Sequence, residues 1–202
     1  MTVVSLKAEK PGIIKVTFSD GSSSTLAINY VPDVDFSFWE SGQEITSAEE
    51  EIIRFANSCY RAETVAYRLI ARAEQHSHGL RVKLERRGFE TSVVKAVVSH
   101  FLERNLLDDS RFAERWIHSR ISLGKAPSPR WLLVSLGKRG IGKNVSGEAI
   151  RKALDPETEY RMLLKYLDRI GSTNYRKGNY IKAKLKNEGF SYAVLNRFFD
   201  NN

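Results

Sequence analysis

The residues best suited to chemistry lie mid-chain, in "GKRGIGKN", Gly137 to Asn144. Glycine, four residues and then Gly-Lys is one residue short of a phosphate-binding loop, in which backbone amides cradle phosphate and a Ser or Thr hydroxyl holds magnesium. Asn144 stands where that hydroxyl belongs. Such a loop also needs a buried strand before it and a helix directly after it, and only "WLLVS" could pass as the strand. Nucleotide binding is not expected, and no cofactor is implied.

The remaining candidates for catalysis are equally spare. His76 and His78 are two apart near a helix start, and His100 and His118 fall on separate helices. No cysteine or acidic cluster accompanies them at ligand spacing, so no metal site is expected. Asp108 and Asp109 are adjacent acids at a helix start, which capping and dipole chemistry explain. No nucleophile triad can be assembled, and Cys59, beside Ile52 and Phe55 on an apolar helical face, reads as a packed thiol.

Charge is what remains. The formal net charge is +8, yet residues 1–46 hold three bases (Lys7, Lys10, Lys15) against six acids (Glu9, Asp20, Asp33, Asp35, Glu40, Glu44), so the basic character belongs to residues 47–202. Between 111 and 143 stand Arg111, Arg115, Arg120, Lys125, Arg130, Lys138, Arg139 and Lys143, against the single acid Glu114. A concentration of this kind suits a polyanionic partner, and these eight are the candidate contacts. Arg111 and Arg115 are four apart on one helix face, while Lys125 and Arg130 flank a proline-containing loop. Trp116 and Trp131 are expected in the core rather than as base-stacking groups. With no RNA-binding motif and no zinc pattern, readout of base sequence is not expected.

The elements that must carry these residues change character near residue 46. "TVVSLKAE", "IIKVTFSD" and "STLAINYV" are rich in β-branched residues and separated by Pro11-Gly12 and "DGSSS", which predicts three short antiparallel strands followed by an irregular link. Ser47 then starts a helix, with Glu50 three residues on completing a capping box. Helical periodicity continues to the end. Core faces are expected from Val65, Ala66, Leu69, Ile70 and Ala73; from Val93, Val94, Val97, Val98, Phe101 and Leu102; from Phe112, Trp116 and Ile117; and from Tyr160, Leu163, Leu164 and Leu167. Asp108, Ser128-Pro129, Asp155-Pro156 and Ser191 mark further helix starts.

An internal repeat organises the helices. "LERRGF", "LGKRGI" and "LKNEGF" share leucine, three residues, glycine and a large apolar residue, with the glycines at 88, 140 and 189. Eight residues before each glycine stand Leu80, Leu132 and Ile181; five after it stand Val93, Val145 and Val194. Each unit reads as three helices whose middle member stops when glycine takes a left-handed position and the next apolar residue folds back on the last turn. The expected fold is mostly α: tandem three-helix repeats in an elongated curved array, with a small N-terminal antiparallel β segment. The expected boundaries are 1–46 for the β-rich segment, 47–107 for repeat 1 with a leading helix, 108–154 for repeat 2 and 155–202 for repeat 3. No apolar run approaches the ~20 residues of a membrane span. The opening residues lack a basic region followed by an apolar core, and cysteine occurs once, so a cytoplasmic protein is expected.

The stretch "LLDDSRFAERWIHSRISLGKAPSPRWLLVSLGKRGI", 106 to 141, resembles the signature of the RecX family, bacterial regulators of the recombinase RecA. Asp108, Asp109, Arg111, Phe112, Ala113, Arg120, Gly124, Arg130, Leu136, Gly140 and Ile141 fit the family's central repeat. "HSHGLRVKLERRGF" is similar to its first repeat and "NYIKAKLKNEGFSYAVLNRFF" to its third. The resemblance runs from about residue 60 to the end and departs at Trp131, where a smaller aliphatic residue is usual, at Glu188, where a base is usual, and over the first 46 residues. It implies a non-enzymatic modulator that binds the groove of the RecA filament on single-stranded DNA. It also implies restraint of filament growth, strand exchange, ATP hydrolysis and the co-protease activity behind the SOS response. Arg111, Arg120 and Arg130 would be foremost among the contacts. The chain is expected to act as a monomer away from membranes, with DNA itself as the alternative partner of a RecA-independent binding protein.

Overall fold

A computed structural model describes residues 2–123, 127–171 and 179–200. The chain divides into two compact units, residues 1–107 and 108–202. Three strands open the first: β1 (Val3–Lys10), β2 (Ile13–Phe18) and β3 (Ser23–Ala27), paired antiparallel in the order β1-β2-β3. Register sets Val3 opposite Phe18 and Ile14 opposite Leu26, so alternate residues fall on one face. That face buries Val3, Val16, Phe18 and Leu26 with Phe36, Ile53 and Ala56.

Three helices complete this unit: α1 (Ser47–Arg72), α2 (Ser77–Glu85) and α3 (Thr91–Glu103). The cap of α1 lies one residue earlier than the sequence suggested. Thr46 closes the capping box with Glu49, whose carboxylate takes both the amide and the hydroxyl of Thr46 at 2.8 Å. Thr46/Glu49 and Ser47/Glu50 fit the same pattern, and Gln43 settles the choice by donating to the Glu49 carboxylate at 3.2 Å. The first turns of α1 belong to the sheet's core, and Asn57 donates to the carbonyl of Thr25 at 2.9 Å. Farther along, Cys59, Ala62 and Ala66 join a second core with Leu80, Leu84, Val93, Val94, Val97, Val98, Phe101 and Leu107. Small side chains along this stripe let helices approach closely. Two expected core residues are outside it. Ala73 is exposed, beyond the helix end in extended backbone, and Leu102 is 40% exposed because it falls at the rim of the α3 stripe.

The second unit holds α4 (Asp109–Ser122), α5 (Pro129–Gly137), α6 (Lys143–Ala153), α7 (Pro156–Arg169), α8 (Asn179–Asn187) and α9 (Tyr192–Asp200). Asp108, Ser128 and Asp155 cap α4, α5 and α7, as expected. One core runs through all six helices, from Ala113, Ile117, Leu132 and Leu136 to Leu163, Leu185, Val194 and Phe198. Leu164 is exposed; Met162 and Tyr166 take its place on the inner face of α7.

The three glycines act alike. Gly88, Gly140 and Gly189 have φ of 82°, 79° and 85°. The amide after each glycine returns to the leucine carbonyl five residues back: Phe89 to Leu84 at 3.4 Å, Ile141 to Leu136 at 3.1 Å and Phe190 to Leu185 at 3.3 Å. This is the Schellman closure, which satisfies carbonyls that a helix end leaves open. Leu84, Leu136 and Leu185 are wholly buried above it.

Candidate polyanion interface

The eight candidate cations lie in the second unit, and helix caps place most of them. Asp108 accepts from the amide of Arg111 at 2.9 Å, which sets Arg111 in the first turn of α4, half-buried, with exposed Arg115 one turn on. Neither side chain is without a partner in the molecule. Arg120 lies in the last turn of the same helix, half-buried. Lys125, like Gly124, falls outside the described residues.

Arg130 is exposed and serves the fold as well as the surface. Its amide, one of the donors orphaned at the start of α5, reaches the carbonyl of Glu188 at 2.9 Å, and its guanidinium reaches the carbonyl of Asn187 at 3.3 Å. Lys138 and Lys143 are exposed, at the end of α5 and the start of α6. Arg139 is half-buried and donates to the carbonyl of Ser135 at 2.8 Å. "WLLVS" is helical, so Gly137 to Lys143 lacks the preceding strand of a phosphate-binding loop; Gly140 closes a helix and Gly142 precedes the next.

Two of the eight, Arg120 and Arg139, share one indole. The guanidinium carbon of Arg139 lies 4.5 Å from the ring centre of Trp116, and that of Arg120 lies 5.2 Å from it. Trp131 stacks on Trp116 with centroids 5.9 Å apart and planes inclined by 16°. Trp116 packs against the core, as expected, but Trp131 is 48% exposed and corrects the expectation that it is buried. The physical reason lies in register: Trp131 precedes buried Leu132 in α5, so the helix turns it about 100° away from the core. Glu114, the one acid among these cations, is drawn to Lys152 at 3.1 Å.

The other chemical candidates are structural. His76 caps α2 by accepting from the Gly79 amide at 3.1 Å, and His100 lies against Tyr30 with ring centres 5.1 Å apart. Among the described residues, no three His, Cys, Asp or Glu side chains gather to hold a metal. Cys59 is buried, and burial together with the Glu63 carboxylate pushes its thiol up to about 12. No described helix is long and apolar enough to cross a membrane.

No protein-family model matches the chain. Over 156 residues it is 31% identical to the regulatory protein RecX of Treponema pallidum strain Nichols, an alignment covering 77% of this chain and 94% of that one. The chain belongs to the RecX family. It is also 24% identical over 163 residues to the regulatory protein RecX of Clostridioides difficile, covering 78% and 76% of the two chains. A crystal structure of regulatory protein RecX is similar with a TM-score of 0.70 at 16% identity, covering 100% of this chain and 99% of that one. RecX from Lactobacillus salivarius gives 0.57 at 18% identity, with 72% and 97% covered. These two structures share the fold.

Two features of this chain escape a reading by residue type. Glu188 accepts the hydroxyl of Ser128, so the acid found beside the third glycine fastens the end of α8 to the start of α5. Trp131 could have been placed outward by the repeat itself. Nine residues before Gly189 the equivalent position is Tyr180, 78% exposed.

Proposed function

We propose that the chain is a non-enzymatic modulator of RecA, binding the RecA filament on single-stranded DNA and restraining its growth, and with it strand exchange, ATP hydrolysis and co-protease activity. The observation that carries this reading is the alignment with a regulatory protein RecX over 94% of that protein's length. The cations of residues 111–143 support it, since a nucleoprotein filament is polyanionic. On this reading residues 47–107, 108–154 and 155–202 are successive modules, 1–46 is a separate β segment, and the chain works as a cytoplasmic monomer. The eight cations share the contact. Lys138 and Lys143 give it exposed charge, and Arg120 and Arg139 are held ready over Trp116.

The test is reversal of Arg130, Lys138 and Lys143 to Glu. Exposed charge contacts are each worth roughly 0.5 kcal/mol, so about tenfold more variant should be needed to inhibit RecA's DNA-dependent ATPase, with the helical circular-dichroism spectrum kept. Lys143→Glu alone places an acid at a helix start, where it favours the helix, so a loss from that single reversal belongs to binding. Unchanged inhibition overturns the reading. A second reading, a DNA-binding protein acting without RecA, is favoured by the exposed indole of Trp131 and requires binding to naked strands as tight as to the filament.

A further inference from the structure

We infer that Trp131 is a stacking platform for an unpaired nucleobase of single-stranded DNA. The inference rests on the proposed function in one respect, that the strand is the polyanion this face meets. Trp116 and Trp131 form an offset stack, a geometry in which aromatic rings attract one another. The two rings are not equivalent. Trp116 is rooted in the core and carries Arg120 and Arg139 against its ring. Trp131 lies outside the core, nearly half its surface is open, and among the described residues no cation covers it.

The stack therefore ends in an open aromatic ring held at a fixed angle by a supported one. A flat π surface beside cations is what proteins use to hold single strands, because every base has a π face and every nucleotide a phosphate. The surrounding charge fits. Arg120 and Arg139 have no carboxylate at ion-pair distance among the described residues, and Glu114 is occupied by Lys152. Arg120 is held by the indole rather than by an acid, and its Nε is buried without an acceptor. The half-exposed indole of Trp131 thus stacks on a ring that itself carries two guanidiniums. Stacking of this kind is tolerant of sequence, which agrees with a chain that lacks any motif for reading bases.

The full chain, its Trp131→Ala variant and its Trp131→Phe variant are titrated against labelled oligo(dT) and an abasic strand of equal length at several salt concentrations. One stacked base is worth roughly 1–3 kcal/mol, so Trp131→Ala should weaken oligo(dT) binding about tenfold or more. It should leave abasic binding and the salt slope unchanged, since no phosphate contact is lost. Trp131→Phe should retain most of the affinity, which separates stacking from damage to the fold. Equal binding of oligo(dT) by wild type and Trp131→Ala, or equal loss on both strands, overturns the inference, as does a wild-type protein that binds neither strand. Loss confined to RecA-coated strands also overturns it, placing the indole against protein. Binding of the wild type to RecA-coated strands, measured alongside, judges the proposed function separately.

Discussion

Ser128 donates its hydroxyl to the carboxylate of Glu188, sixty residues away. The same serine caps α5 by accepting from the amide of Trp131 at 3.2 Å. One hydroxyl thus fixes the start of α5 to the end of α8. It also sets the register that turns Trp131 outward. A hydrogen bond to a carboxylate is stronger than a neutral one, so Ser128→Ala and Glu188→Gln should each destabilise the second unit. The pair should couple by about 1 kcal/mol in a double-mutant cycle followed by urea unfolding. Additive losses would show that the contact is incidental.

Gly189 carries two constraints where Gly88 carries one. Both sit at positive φ, where a side chain costs about 1–2 kcal/mol. A Cβ on Gly189 would also lie 3.3 Å from the amide nitrogen of Arg130 and 3.4 Å from the Cβ of Pro129, whereas Gly88 faces open space. Gly189→Ala should therefore cost about 1 kcal/mol more than Gly88→Ala in denaturant titrations. Equal losses would mean that the closure, and not the crowding against the start of α5, sets the requirement.

Caps make stability depend on acid. The hydroxyl and amide of Thr158 hold Asp155 below its ordinary 3.8, and the amide and hydroxyl of Thr46 hold Glu49 below 4.5. A carboxylate lowered on folding contributes stability above its unfolded value and loses it as pH falls through the folded one. Melting temperature should thus fall below about pH 4. The gap between wild type and Asp155→Asn should narrow over the same window. A gap that holds constant down to low pH would show that the carboxylate's charge plays no part.

Cys59 should be inert in the folded protein. With its thiol buried and pushed up to about 12, it holds very little thiolate at neutral pH. Labelling by a thiol reagent should track unfolding in urea, and fast labelling without denaturant would mean that α1 is not packed as described.

Much of this was legible because local chemistry acts on its own. A glycine four residues after a buried helical leucine closes each of these three helices, and Asp108, Ser128 and Asp155 cap through their immediate neighbours. Strand alternation and the leucines before each glycine fixed the cores for the same reason. The site was less legible. Charge counting finds Lys138 and Arg139 alike, yet only tertiary placement separates an exposed amine from a guanidinium lying over Trp116. Residue type puts a tryptophan inside, and only helix register against Leu132 puts Trp131 outside. Glu188 read alone is a charge in the wrong place; its meaning lies in Ser128, far off in sequence.

The central claim, that the partner is RecA on its strand, is tested most directly by comparing binding of the full chain to bare single-stranded DNA, to RecA alone and to RecA-coated strands at one salt concentration. The account predicts the tightest binding to coated strands. Binding to bare strands as tight as to coated ones would contradict it.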